Sequence, residues 1–192
     1  YQRRVLPYRT SDKRVEGVVV TYSDVTQLQR VALKLSRRER QQKALASLGQ
    51  AALIEKDIHA LFDIAVRTVQ KAFDAEFVKL LELLPDGKTL LLRAGVGWRE
   101  GLVGRYVIDR ESDSQAALTL ISDRPVVVTK LEEDERFKSP ELLVSHGIVS
   151  GISTVIRDEK GPIGVLGVHT THEATFSDDD IDFMETVAHI LS

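Results

Sequence analysis

Asp24-Val25-Thr26 ends a pair of strand-rich runs and opens a long helical pattern, so the chain must be organised as two bodies joined by a helix. Ahead of it, residues 2–9 (QRRVLPYR) and 16–22 (EGVVVTY) are rich in strand formers, and Thr10 to Arg14 supplies a polar turn. A two-stranded hairpin is marginal in water, so this piece calls for further strands. The chain is accordingly expected to be part of a longer protein that enters mid-domain at Tyr1. Asp24 is placed to cap the helix, with Gln27 completing a capping box. Leu28, Val31, Leu35, Arg38, Gln42, Leu45, Gly49 and Ala52 then recur with 3-4 spacing, a coiled-coil seam with apolar ends and a polar middle. Such a seam is weak alone and suits a joint that shifts.

The second body alternates helices and strands. Gly49 to Lys56 is expected to loosen the linker helix and Asp57 to cap the next one. Ile58, Leu61, Phe62, Ala65, Val66, Val69, Ala72 and Phe73 give that helix a broad apolar face. Strands follow at 76–84 and 89–94 around Pro85-Asp86-Gly87-Lys88, then a glycine-rich loop and a helix near Ser114–Ser122. A short strand at 125–129, an acidic loop at 131–136 and a short helix around 140–146 precede a second hairpin, 150–157 with 162–169. The last helix starts at Ser177, with Asp180 at its capping-box position and Phe176 placed to staple against Ile181. The 192 residues allow one to two domains. The order of elements predicts an α+β fold.

The chain has no cysteine, which removes disulfides, thiolate nucleophiles and Cys-type metal sites together. No apolar run approaches the roughly 18 residues of a membrane span, and a cytoplasmic setting is expected. The net charge of −3 exerts no global pull on nucleic acid or anionic lipid. Arg30, Lys34, Arg37, Arg38, Arg40 and Lys43 crowd one stretch against Glu39 alone. These charges surround the helix rather than forming a stripe with interleaved aromatics, which reads as a solvated linker face.

Five stretches carry a resemblance: GVGWREGLVG (95–104), DERF (134–137), LLVSHGIVSGISTVI (142–156), GPIGVLGVHT (161–170) and FSDDDIDFMETVAHIL (176–191). In this order they resemble a GAF domain of the kind found in bacterial sensor kinases and cyclic-dinucleotide enzymes. RVLPYR and VVVTYSDVT resemble the last two strands of a PAS domain and its closing Asp-Val-Thr. Expected boundaries are therefore 1–26 for the PAS remnant, 27–50 for the linker helix and 51–192 for the GAF domain. The PAS likeness implies that Asp24 and Thr26 tie the sheet to the outgoing helix, and that the PAS ligand pocket lies ahead of Tyr1. The GAF likeness implies a central antiparallel sheet with the N- and C-terminal helices on one face and pocket-forming loops on the other, where a small ligand would lie near Trp98, Tyr106, Arg136, Phe137, Leu142, Leu143, His146, Ser150 and Ser153. Cyclic-nucleotide-binding members carry Asn-Lys…Phe-x-x-x-Asp-Glu, where this chain has Thr129-Lys130, Phe137 and Glu141-Leu142. Two polar positions of that clamp are thus replaced. Covalent bilin attachment and the thiol-dependent sulfoxide reductase activity of some members both need the absent cysteine. Haem needs only an axial histidine, for which His146 is the candidate; the plainer reading makes it a core-edge residue capping a short helix before Gly147.

Other groups have plain structural readings. Asp178, Asp179 and Asp180 complement the dipole of the helix they begin rather than hold a metal. His169 and His172 are expected at the surface, pointing to opposite faces. Gly95, Gly97, Gly101 and Gly104 lack the Lys-Ser/Thr of a phosphate loop and suggest tight backbone paths. No nucleophile–base pair stands out, so the fragment is expected to be non-catalytic. Two functions remain open. One is a ligand-responsive sensory domain that signals through dimeric helices to an output domain of a histidine kinase or cyclic-di-GMP enzyme. The other is a ligand-free dimerisation and signal-relay module. A parallel homodimer through Leu28, Val31, Leu35 and Leu45 is expected in both.

Overall fold

The computed structural model describes residues 1–9, 11 and 15–192; apart from Ser11, the expected turn at Thr10 to Arg14 lies outside the described residues. The chain divides into two compact units, Tyr1–Glu39 and Arg40–Ser192. In the first unit, β1 (Gln2–Arg9) pairs antiparallel with β2 (Val15–Ser23), Val5 opposite Val20. Val5, Leu6, Val18, Val19 and Tyr22 are exposed. Side chains alternate faces along a strand, so neither face of this hairpin is covered. The Asp24 Oδ1 accepts from the Thr26 amide at 2.9 Å, and helix α1 (Thr26–Ile54) begins there. Asp24, expected as the cap, therefore sits one residue ahead of the cap position, which Val25 occupies. Hydrogen bonds from the Thr26 side chain and amide hold its carboxyl below the usual range.

Helix α1 does not loosen at Gly49: it runs unbroken to Ile54. A helical glycine costs about 1 kcal/mol relative to alanine. Burial of Leu48, with Leu45, Ala51 and Ala52 packed beside it, offsets that cost. Along the expected seam, Leu28, Val31 and Leu35 are exposed, whereas Leu45 is half-buried against the domain core.

The second unit is built on a six-stranded antiparallel sheet ordered β5-β4-β3-β8-β7-β6. Its strands are β3 (Phe77–Leu83), β4 (Thr89–Val96), β5 (Val107–Asp109), β6 (Val126–Val128), β7 (Ser150–Asp158) and β8 (Gly161–Thr170). The predicted hairpins are present, and β5 adds an edge strand that three residues did not announce. Helix α2 (Ile58–Phe73) is capped by Asp57, whose side chain accepts from the His59 amide. Its predicted apolar face is buried from Leu61 to Phe73; Ile58, at the first turn, stays exposed. With α5 (Asp178–Ile190) and the second half of α1, it covers one sheet face through Val78, Leu80, Ile152, Ile156, Leu166 and Val168.

The other face carries α3 (Gln115–Ile121), a 3-10 turn (Leu131–Glu133), α4 (Glu141–Val144) and the loops between. Two smaller apolar clusters lie there, around Leu81, Leu92 and Val165, and around Val128, Phe137 and Leu143. Among the described residues no helix is long and apolar enough to cross a membrane.

The α5 start holds a buried polar joint. The Ser177 amide donates to Asp180 Oδ2 at 2.8 Å as one half of a capping box, and the Ser177 hydroxyl donates to the same oxygen at 2.9 Å. Gln41 Nε2 donates to the other oxygen, Oδ1, at 2.7 Å, with both side chains buried. This bond ties α1 to α5 within the second unit. Replacing Asp180 with Ala removes a cap and a buried charge-assisted bond, and is expected to cost about 3 kcal/mol. Gln41→Leu removes only the bond and is expected to cost roughly 2 kcal/mol. Urea unfolding of both variants checks the ranking.

Candidate functional site

The loop face of the sheet is organised by glycines. Val78 and Leu80 point into the helix-side core, so Lys79 between them points the opposite way. Lys79 pairs with Gly95 on β4 and with Gly167 on β8, and Gly167 pairs with Ser153 on β7. His169 pairs with Phe77 and with Gly151. A Cβ on Gly167 would stand 3.0 Å from His169 Nε2 and 3.1 Å from Lys79 Cε. One on Gly95 would stand 2.6 Å from Trp98. The glycines are thus the spaces in which Lys79, His169 and Trp98 lie flat on the sheet.

Helix α3 closes this row from above. Ser114 caps it, accepting from the Ala117 amide, and Thr119 Oγ1 lies 2.7 Å from Ser153 Oγ. Gln115, one turn before Thr119, shares its buried side. Lys79, Gln115, Thr119, Ser153 and His169 are each no more than 1% exposed.

Two of these side chains are matched to each other, and two others carry unpartnered polar atoms. The Thr119 and Ser153 hydroxyls pair, and Thr119 also donates to the Gln115 carbonyl at 2.7 Å. Among the described residues nothing partners either polar atom of the Gln115 amide or His169 Nε2. Burial alone pushes the Lys79 ammonium down to about 7. Burial, then the Lys79 charge, holds His169 well below the usual histidine range. The one buried carboxylate among the described residues is Asp180, on the opposite face of the sheet and bonded to Gln41.

The residues named from sequence separate into three groups. Trp98, Phe137, Leu142, Leu143 and His146 do gather on this face. Phe137, Leu142 and Leu143 are buried, and the Trp98 ring centroid lies 5.0 Å from those of Phe77 and His146. The Trp98 indole N–H donates to the Val78 carbonyl at 2.8 Å. Tyr106 is half-buried against the neighbouring cluster, and burial with the nearby Glu141 charge raises its phenol. Ser153 lies in the polar row. Ser150 does not: its Oγ accepts from the Ala174 amide and lies 2.6 Å from the Thr129 carbonyl, tying strand ends together. Arg136 is exposed, paired with Asp134 and bonded to the Val127 carbonyl.

His146 uses both ring nitrogens. Nδ1 donates to the Leu142 carbonyl at 2.7 Å, and Nε2 accepts from the Arg99 amide at 3.2 Å. An axial ligand needs a free nitrogen lone pair, so His146 as placed does not fit haem. It latches the glycine loop to α4, helped by Arg99 Nη2 donating to the Ser145 carbonyl. That loop turns through positive φ at Gly97, Gly101 and Gly104, which agrees with tight backbone paths. His169 corrects the expectation of a surface histidine: glycines at 151 and 167 let its ring sink into the sheet face. His172 is exposed beside Glu76. Asp178 to Asp180 form the first turn of α5. Among the described residues no three His, Cys, Asp or Glu side chains are arranged to hold a metal ion.

The GAF domain family model matches residues 57–192. The chain belongs to the GAF domain family. Its fold is that of GAF domains of phosphoenolpyruvate-protein phosphotransferases from Coxiella burnetii (16% identity, 80% of this chain and 91% of that one, TM-score 0.72) and Acinetobacter (20%, 79% and 89%, 0.68). A free methionine-R-sulfoxide reductase from Neisseria meningitidis, solved with its substrate, is similar at 18% identity over 79% of this chain and 85% of that one, with a TM-score of 0.67. No curated protein sequence matches. GAF domains are regulatory sensory domains of signalling proteins, and this one shares their sheet and flanking helices.

Lys79, Gln115, Thr119 and His169 were not among the site residues named from sequence. Lysine inside the apolar strand FVKLLEL was the available signal, since a central strand rarely spends an inward position on a charge. Its ionisation gives a test. Between about pH 7 and the unfolded value near 10.5, the unfolded chain binds the proton that folded Lys79 has lost, so stability rises with pH across that window. Below about 7 both states are protonated and the burial penalty is present in full. In dialysed protein the rise is expected to be roughly 3–5 kcal/mol, and Lys79→Met is expected to abolish it while stabilising the protein at pH 7. Urea unfolding at pH 7 and pH 10 reads both effects; parallel profiles for the two proteins would contradict the assignment.

Proposed function

We propose that this GAF domain is the ligand-responsive sensor of a PAS–GAF signal-transduction protein, a histidine kinase or cyclic-di-GMP enzyme working in the cytoplasm. A small molecule held between the sheet and the α3–α4 layer shifts the terminal helices, and these carry the shift to an output domain. The observation that carries the reading is the set of unpartnered polar atoms on Gln115 and His169, with Lys79 beside them. Each such group left unpaired costs about 1–3 kcal/mol. Together the Gln115 amide and the His169 ring take a sizeable part of the roughly 5–15 kcal/mol that holds a typical domain together. A bound partner returns that cost; a pure packing core would have replaced the groups with apolar ones.

The relay has supporting features too. Both α1 and α5 pack on the same sheet face, and Gln41–Asp180 joins them, so displacement of the sheet acts on both together. Leu28, Val31 and Leu35 are exposed in helical spacing, which suits a parallel homodimer. The uncovered hairpin ahead of Asp24 suits the closing strands of a PAS domain, with Asp24 and Thr26 at the exit as that family would have them. The second reading, a ligand-free dimerisation module, rests on the same exposed seam. The expected boundaries, 1–26, 27–50 and 51–192, stand as part of this proposal.

Native mass spectrometry of the chain as purified from cells separates the two readings. A dimer carrying a small non-covalent mass is the expected result. A clean dimer without adduct moves the function to the relay module, and a monomer at high concentration removes the dimeric relay.

A further inference from the structure

The sensor reading leaves the chemistry of the ligand open, and the loop-face residues constrain it. Their hydrogen-bonding capacity is lopsided. A charged Lys79 offers three N–H donors and the Gln115 amide two, against one acceptor oxygen on Gln115. His169, held neutral, offers one nitrogen of either kind. Lys79 brings one positive charge to a place where no described residue supplies a negative one, since the buried Asp180 belongs to the far face. In low dielectric such a charge is retained only when paired.

Resting on the sensor reading, we infer that the ligand of this GAF domain is a small monocarboxylate with a hydrogen-bond donor beside its carboxylate, held on the loop face of the sheet by Lys79, Gln115 and His169. The carboxylate neutralises Lys79 one for one and accepts from the Gln115 amide N–H. The adjacent hydroxyl or ammonium donates to Gln115 Oε1, which otherwise has no donor. A carboxylate is a monoanion throughout the neutral range, whereas phosphate there is partly a dianion that would leave uncompensated negative charge, so charge matching favours the carboxylate. Residue 167 is glycine because a side chain there would meet both Lys79 and His169, so these two lie against the sheet with their polar ends toward the α3 layer's side. Trp98, with its ring centroid 6.1 Å from that of His169, stands at the margin and is the only tryptophan in the chain, so it reports on the site.

The test uses the full 192-residue chain, dialysed, with glycolate as probe and acetate, glycolamide and inorganic phosphate beside it. Thermal shift and Trp98 fluorescence are read against concentration. Glycolate is expected to saturate both signals, with acetate at least several-fold weaker and glycolamide and phosphate without saturable effect. Lys79→Met is expected to fold and to lose at least tenfold in glycolate affinity. Gln115→Leu is expected to bind glycolate and acetate alike. Equal responses to glycolate and glycolamide, an unchanged Lys79→Met titration, or no saturable response to either carboxylate would overturn the inference. The mass spectrum of the protein from cells keeps the two failures apart. A retained neutral mass, or one that persists in Lys79→Met, leaves a sensor with different ligand chemistry; no retained mass and no response to any probe removes the sensor reading as well.

Discussion

Strands β3 and β8 pair residue for residue from Phe77–His169 to Glu82–Gly164, and the rest of the domain depends on the two unlike faces of that pair. On one face Val78, Leu80, Leu166 and Val168 are the floor under the terminal helices. On the other, Lys79, Gly167 and His169 interrupt what would be a second apolar layer, and the loop-side core is split into two clusters around them. A two-fold side-chain period makes these faces independent: the helix side can be optimised for packing while the loop side keeps polar groups that packing would reject. The split core and the polar row between its halves are therefore one feature.

Under the proposed sensor reading, the same division gives a ligand on one face a route to the helices at the other. The central strands are shared, and interiors packed at crystal-like density transmit small displacements rather than absorb them. Where the helices meet, Gln41 and Asp180 add a directional contact to an otherwise apolar interface. A buried hydrogen bond of this kind fixes relative position more sharply than leucine against alanine does. The capping box at Ser177 holds the Asp180 carboxylate in place to receive it, so the start of α5 and the tail of α1 are positioned by one side chain.

Much of this was legible in the sequence, and the reasons differ by element. The α2 face, the two long hairpins, the Asp57 and Ser177 caps and the glycine loop all follow from local rules: periodicity, turn chemistry and capping. The GAF fold was legible because the five quoted stretches occur in order. Gly49 was misjudged because local propensity says nothing about burial of Leu48 one residue away. Edge strand β5 was missed because three residues carry too little pattern. Among the site candidates, the aromatic and aliphatic ones lie on the loop face, whereas Ser150 and Arg136 brace backbone carbonyls. His169 was taken for a surface residue because its burial depends on Gly151, eighteen positions earlier, and on Gly167. Lys79 depends on Gly95 and Gly167 in the same way. Burial that is granted by a glycine on a neighbouring strand is a property of register, and register is not written in any one segment.

A high-resolution crystal structure of the protein as purified from cells tests the central claim most directly, that the loop-face polar row is a binding site. The account predicts density for a small carboxylate contacting Lys79 Nζ and the Gln115 amide, with His169 alongside. Gln115, His169 and Lys79 satisfied by one another or by a closed chain of waters, with no ligand density, would contradict it.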